Sequence, residues 1–333
     1  MHFFKSKRNW HVPTAAVILI AAGVLILTKI YPAFIPASGE TSTYKHKTAY
    51  SSTSVSVAPS SSKPDSSSEP IPNIYSGNLN SPNAIMVRLS DNAVIMEKNS
   101  DKKIYPASLT KMMTAIVAIE NLHSLDENIT LSPSIFNALY KADASMAGFL
   151  PGEEVKAEDL LYGVLLPSGA DCCVGLADHI SGSESAFVEK MNEKAAQLGM
   201  ENTHFENTTG LHDENHYTTV KDLSTLLAYA LKDSTFRKIF TTPSHSTAAT
   251  NKHPNGITFR STMFKKMKST SVNGGKILGG KTGYTDEAGL CLASLAQVDG
   301  KEYIFVTAGA KTGGTPAYNI SDACEVYNEI DKS

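Results

Sequence analysis

The sequence predicts an α+β fold: an antiparallel sheet flanked by helices, with an all-helical part set between its strands. Three observations predict it. Strand-like runs gather at the two ends of the region beyond residue 73, over 84–97 and 277–308. The stretch between them, 124–235, reads as mainly helical, with Gly- and Pro-punctuated loops. A closing helical pattern over 317–330 follows the last strand. Strands so far apart in sequence can share a core only by joining one sheet.

Ahead of that domain, residues 1–11 carry Lys5, Lys7 and Arg8 and no acid. Residues 9–28 hold no Asp, Glu, Lys or Arg, and the centre, Ala15 to Leu27, is apolar on every face. Twenty helical residues span roughly 30 Å, about one bilayer core. Trp10 and Tyr31 sit at its edges, where aromatic belts lie. The expected organisation is a cytoplasmic tail (1–11) and a transmembrane signal anchor (12–31). A cleaved signal peptide is the competing reading. The length of the run and the lack of an Ala-x-Ala site favour the anchor, and either way the rest of the chain is exported.

Residues 32–73 then read as a flexible tether. Twelve serines fall between Ser38 and Ser68, with Pro59, Pro64, Pro70 and Pro72 among and after them. Too few apolar residues are present to offset the entropy of ordering. The most biased part, 38–73, has an r.m.s. reach of roughly 35 Å.

The folded domain is expected over 74–333, with sheet parts at about 80–122 and 240–333 and a helical part at about 123–239. Ala84–Leu89 and Ala93–Glu97 read as a hairpin around Ser90-Asp91-Asn92. Ser108–Leu122 reads as a helix whose apolar stripe is Met112, Ala115, Ile116, Ile119 and Leu122. Ala288–Gln297 and Tyr303–Ala308 read as strands joined at Val298-Asp299-Gly300.

Composition excludes several functions. The 333 residues carry a formal net charge of −3, which gives no reason to expect a nucleic-acid partner. Hydrophobic residues at 41% are too many for a disordered chain and too few for a polytopic membrane protein. Four cysteines do not make a disulfide scaffold, and they read as buried thiols.

Three motifs could carry chemistry. In Pro106-Ala107-Ser108-Leu109-Thr110-Lys111 the hydroxyl and the amine are three residues apart, so on a helix they share a face. A neutral lysine can take the proton of a serine and make it a nucleophile. Alone, such a pair is more often a helix cap and a surface lysine. Leu165-Leu166-Pro167-Ser168-Gly169-Ala170-Asp171 places a second hydroxyl on a tight turn between helices. Gly279-Gly280-Lys281-Thr282-Gly283-Tyr284-Thr285 follows a short strand opening, Lys276-Ile277-Leu278, and suits a carboxylate. Gly275 and Gly280-Lys281-Thr282 literally match a phosphate-loop pattern, but no helix follows, and that reading is rejected. His212 and His216 flank Asp213, but His-Glu-x-x-His is absent and no third ligand is evident. No metal is expected.

Taken in order, these motifs resemble the penicillin-recognising serine D,D-peptidases, and more narrowly their D-alanyl-D-alanine carboxypeptidase branch. Gly199–Phe205, Thr209-Gly210-Leu211-His212-Asp213 and His216-Tyr217 strengthen the narrower likeness. The resemblance covers roughly residues 80–332. It implies a β-lactamase/D,D-peptidase-like fold, Ser108 as acyl-ester nucleophile, Lys111 as general base and Ser168 as proton relay. It also implies that Lys281, Thr282 and Gly283 bind substrate, and that the backbone N–H groups of Ser108 and Tyr284 form the oxyanion hole. The implied partners are peptidoglycan stem peptides ending in D-Ala-D-Ala, β-lactams, and the bacterial membrane through the N-terminal helix. No cofactor is implied. The catalytic domain is expected outside the cytoplasm.

Two departures stand out. The third residue of the second motif is Ala170, where the family usually has Asn. Many members also carry a further β-domain and a C-terminal anchor, and here the N-terminal span is expected to replace that anchor. Three alternatives compete with this reading: a catalytically impaired wall-binding protein, a β-lactamase of the same fold, and an accessory carboxypeptidase in glycopeptide resistance. No Glu-x-x-Leu-Asn supports the β-lactamase, since Glu206-Asn207-Thr208-Thr209 does not fit.

Overall fold

Six strands lie in one antiparallel sheet in a computed structural model that describes residues 78–330. The expected tail, anchor and tether lie outside the described residues. Among the described residues no helix is long and apolar enough to cross a membrane.

The chain opens with β1 (Asn83–Arg88) and β2 (Ala93–Lys98), the expected hairpin. A short 3-10 turn (Ala107–Thr110) leads into α1 (Lys111–Asn121). The helical part interleaves β3 (Asn128–Thr130), α2 (Pro133–Lys141) and β4 (Glu154–Lys156). It continues with α3 (Ala157–Leu165), α4 (Ala170–Ser181), α5 (Glu184–Gln197), α6 (Val220–Ala230) and α7 (Ser234–Phe240). A small ribbon, β5 (Ser244–Ser246) with β6 (Thr258–Arg260), brings the chain back to the sheet. The sheet then takes β7 (Ser271–Val272), β8 (Gly275–Thr285), β9 (Gly289–Val298) and β10 (Lys301–Ala310), and α8 (Tyr318–Ile330) closes the fold.

The strand order is β2-β1-β10-β9-β8-β7. The pairing of β1 with β10, Asn83 opposite Ala308 through Arg88 opposite Tyr303, joins the two distant sheet parts. Both faces of the sheet are covered. On one, Ile85, Val87, Leu295, Ile304 and Val306 pack with the helical part. On the other, Met86, Leu292 and Phe305 pack with Ile320, Val326 and Tyr327 of α8. All six residues of β1 are therefore buried, as in any strand covered on both faces.

Two expectations need correcting. The expected helix over 108–122 begins as a 3-10 turn, because Ala107 sits in the left-handed region at φ +46° and bends the chain into α1. The helix is also not amphipathic in the expected way. Every residue from Lys111 to Ala118 is buried, because helices surround α1 and the 3-10 turn before it packs against β8. The third motif, expected to follow a short strand opening, lies inside a long strand. β8 runs unbroken through it, with Lys281 opposite Ala293 and Thr282 opposite Leu292. Its glycines serve close approach rather than turning. A Cβ on Gly279 would overlap the carbonyl of Phe240, and one on Gly280 the Met263 sulfur.

Candidate active site

The 3-10 turn carrying Ser108 lies directly against β8. A Cβ on Gly283 would come 3.1 Å from the Ser108 nitrogen and 3.2 Å from the Pro106 oxygen, so only glycine lets strand and turn meet this closely. Ser108 is half-buried. One step along α1, Lys111 is enclosed, and its Nζ lies 3.3 Å from Ser108 Oγ. The same Nζ donates to the carbonyl of Thr209 at 2.6 Å. A neutral amine can meet both partners, giving one N–H to Thr209 and its lone pair to the Ser108 hydroxyl.

Ser168 stands on the link between α3 and α4 with φ +72°, a conformation a non-glycine residue rarely adopts. Gly169 beside it is required, since a Cβ there would press on the nitrogen of Ala147 at 2.8 Å. Lys281 reaches across from β8 and donates to Ser168 Oγ at 2.9 Å and to the Thr282 carbonyl at 2.8 Å. Thr282 Oγ1 donates to Thr262 Oγ1 at 2.7 Å. The structure thus brings together two hydroxyl–lysine pairs, Ser108–Lys111 and Ser168–Lys281.

Burial lowers both amines from the ordinary lysine range. Lys281 goes further down because the Lys111 charge adds to its burial. Among the described residues neither lysine forms an ion pair with a carboxylate. Asp171 and Glu184 act on Lys111 only at longer range, and burial outweighs them.

Ser108, Lys111, Ser145, Ala170, Thr209 and Tyr284 are among the residues lining a cavity of about 320 Å³. Tyr284 is largely exposed, and its hydroxyl donates to Asp286 at 2.6 Å. Ala170 puts no polar atom on the cavity wall, but its N–H donates to the carbonyl of Ser145 at 2.7 Å. Asp171 points away from the cavity. It accepts from the N–H groups of Ala147 at 2.8 Å and of Gly148 and Phe149 at 3.3 Å each. It thereby pins the loop that carries Ser145.

Four residues here have supporting parts that motif spacing did not mark: Thr209, Asn207, Thr262 and Asp171. Asn207 Oδ1 accepts from the N–H groups of Thr209 and Gly210 and from the Thr209 hydroxyl, an Asx turn that aims the Thr209 carbonyl at Lys111. The Asn207-Thr208-Thr209-Gly210 run, rich in turn-forming residues, is the signal the sequence offers for it. His216 is buried, with both ring nitrogens engaged by Thr110 and by the Glu206 amide, while His212 lies edge-on to Tyr105. Cys172, Cys173 and Cys291 are buried free thiols, and burial pushes Cys173 and Cys291 up to about 12. They are protonated and inert as nucleophiles at neutral pH.

A family model described as D-alanyl-D-alanine carboxypeptidase matches residues 66–312. D-alanyl-D-alanine carboxypeptidase DacF of Bacillus subtilis (strain 168) is 34% identical over 234 residues, which is 69% of this chain and 57% of that protein. D-alanyl-D-alanine carboxypeptidase of Streptomyces sp. (strain K15) is 34% identical over 239 residues, 69% of this chain and 80% of that protein. The chain thus spans little more than half the length of the Bacillus relative. Among solved structures, the Streptomyces K15 DD-transpeptidase matches with a TM-score of 0.69 at 27% identity, over 78% of this chain and 100% of that one. D-alanyl-D-alanine carboxypeptidase from Mycobacterium tuberculosis H37Rv matches with a TM-score of 0.66 at 26% identity, over 80% and 95%. Both likenesses agree with the α+β architecture described above.

Proposed function

The chain belongs to the D-alanyl-D-alanine carboxypeptidase family, and from that premise we propose that it is a serine D,D-carboxypeptidase working through a Ser108 acyl-enzyme. The observation that carries the reading is the buried Lys111 amine, 3.3 Å from Ser108 Oγ and lowered by burial from the ordinary lysine range.

In this reading Ser108 Oγ attacks the carbonyl of the terminal D-Ala-D-Ala bond while its proton passes to Lys111. The oxyanion is met by the backbone N–H groups of Ser108 and Tyr284. The C–N bond then breaks, and Ser168 relays a proton to the departing D-alanine amine. Lys281 and Thr282 hold the substrate carboxylate, and Gly283 serves binding by letting the Ser108 turn close against the strand. Water then attacks the acyl-ester and frees Ser108. The same nucleophile opens a β-lactam ring and stays acylated.

The substrate class is the peptidoglycan stem peptide ending in D-Ala-D-Ala, and the domain works outside the cytoplasm. The basic residues before the apolar run of 9–28 support anchoring by an N-terminal membrane helix, with the serine-rich stretch as its tether. One solved neighbour is described as a DD-transpeptidase, which supports a second outcome: an amine in place of water as acceptor of the acyl group.

Labelled penicillin, and a diacetyl-Lys-D-Ala-D-Ala tripeptide with and without an added amino-acid acceptor, test the reading on the full chain. The expected results are a mass adduct on Ser108 and release of D-alanine, both lost in Ser108→Ala. A dominant aminolysis product identifies a transpeptidase. Rapid penicillin turnover identifies a β-lactamase, and an adduct without D-alanine release identifies an impaired binder.

A further inference from the structure

The histidine pair that invited a metal reading has one member inside the nucleophile's own support. His216 is buried, 106 residues from Thr110 in sequence, and its Nε2 lies 2.8 Å from Thr110 Oγ1. The Glu206 N–H donates to His216 Nδ1 at 3.2 Å, so Nδ1 carries no proton and Nε2 carries the only one. Nε2–H therefore donates to Thr110 Oγ1. The threonine has one hydroxyl proton, and it goes to the carbonyl of Ala107 at 2.9 Å. The chain of donors runs one way: Glu206 amide, His216, Thr110, Ala107 carbonyl.

The Ala107 carbonyl and the Ser108 N–H belong to one planar peptide unit. Whatever orients that carbonyl also aims the N–H read above as an oxyanion donor. The unit needs holding, because Ala107 sits at φ +46°, a region unfavourable to a residue that carries a side chain. Thr110 grips the carbonyl, and Gly210 packs so closely on it that a Cβ there would overlap the oxygen. The Phe205 ring, edge-on to His216 with centroids 5.5 Å apart, fixes the plane of the imidazole.

We propose that His216 is a positioning residue that acts through Thr110 to aim the Ala107–Ser108 peptide, and with it the oxyanion-hole N–H. The proposal rests on the reading of Ser108 as nucleophile. His216 touches no substrate. It sets the orientation of a donor whose value lies in being aimed before the reaction starts. A hydrogen bond accepted by the carbonyl also polarises the N–H at the other end of the same peptide.

The test separates the acylation step k2 from the preceding binding constant K, using labelled penicillin in stopped flow with the full chain. Thr110→Val keeps shape and removes the hydroxyl. Thr110→Val and His216→Leu are each expected to lower k2 about tenfold or more, a part of what losing a whole oxyanion donor costs, with K within about twofold. His216→Gln, whose amide N–H can reach Thr110, and Thr110→Ser are expected to keep k2 within about threefold. The double variant His216→Leu/Thr110→Val is expected to be no slower than the slower single variant. If His216→Leu does not fold, Thr110→Val against Thr110→Ser decides. A Thr110→Val protein with wild-type k2, losses in K alone, or losses that multiply in the double variant each overturn the proposal. A wild-type protein with no Ser108 adduct overturns the nucleophile reading and this inference with it. A wild-type adduct with unchanged variants overturns this inference alone.

Discussion

Lys281 Nζ donates to Ser168 Oγ at 2.9 Å across the gap between β8 and the α3–α4 link, wholly enclosed and without a carboxylate partner. A cation in that position is costly to bury, and Lys111 close by makes it costlier. The inexpensive solution is to give up a proton. Burial lowers both amines, Lys281 the further of the two, and neither is required to stay charged. The amine beside Ser108 is then free to act as a base.

That relationship sets the pH dependence of acylation. Only neutral Lys111 can take the Ser108 proton, so the rate is expected to rise with pH through a lysine pKa lying below 10.5 and then level off. Lys281→Met should leave the midpoint close to that of the wild type, because burial is the main cause that lowers Lys111. The plateau should drop by about two orders of magnitude, because the lysine ligand for the substrate carboxylate is lost. Acylation constants measured from pH 5 to 10 check both, and a rate flat across that range contradicts them.

His216 supplies a stability prediction with a definite sign. Burial holds its ring down to about 4 in the folded protein, against 6.5 for an ordinary histidine. Between these values the unfolded chain binds the extra proton and the folded one does not, so stability rises with pH over that window. The contribution is complete above pH 6.5 and is lost as pH falls toward 4, by about 3 kcal/mol in all. His216→Gln should show a shallower fall of Tm between pH 6.5 and 4 than the wild type. Parallel curves for the two proteins would count against it.

Gly210→Ala tests how tightly the nucleophile's turn is held. Gly210 has φ +78°, and a Cβ there would overlap the Ala107 carbonyl and approach Thr110 Oγ1 to 2.9 Å. The expected loss is at least about 2 kcal/mol of stability, together with a slower acylation step. Thermal melting and penicillin acylation check it. A variant as stable and as fast as the wild type would show that the turn gives way easily.

Asp171→Ala removes the acceptor of three loop amides, those of Ala147, Gly148 and Phe149. Leaving them short of a partner should cost about 1–3 kcal/mol. The cavity wall formed by Ser145 should loosen, so KM for the tripeptide rises several-fold while Ser108 still acylates. Steady-state kinetics and hydrogen exchange over 144–149 report the two effects. Unchanged exchange there means that Asp171 does not hold the loop.

Much of the fold was legible because it depends on local pattern. The hairpin over 84–97, the paired strands near the C-terminus and the closing helix all follow from periodicity and turn residues. Ser108 and Lys111 were legible because three residues separate them on a helical path. The course of β8 was not, because glycine marks turns and close approach alike, and only the neighbours Phe240 and Met263 distinguish the two. The Thr209 carbonyl that meets Lys111 was not legible either, since 98 residues separate them and a backbone oxygen leaves no mark in the sequence. His216 carried a visible signal, its spacing from His212, but that spacing pointed to a metal. Its partner Thr110 is fixed only by tertiary packing.

The most direct measurement is rapid-quench intact mass of the protein during turnover of diacetyl-Lys-D-Ala-D-Ala, with D-alanine release followed in parallel. The expected result is a transient adduct of the diacetyl-lysyl-D-alanyl group on Ser108 that forms and decays at rates matching D-alanine release, with both absent in Ser108→Ala. D-alanine released at an undiminished rate by Ser108→Ala, with no adduct in the wild type, would contradict the acyl-enzyme mechanism.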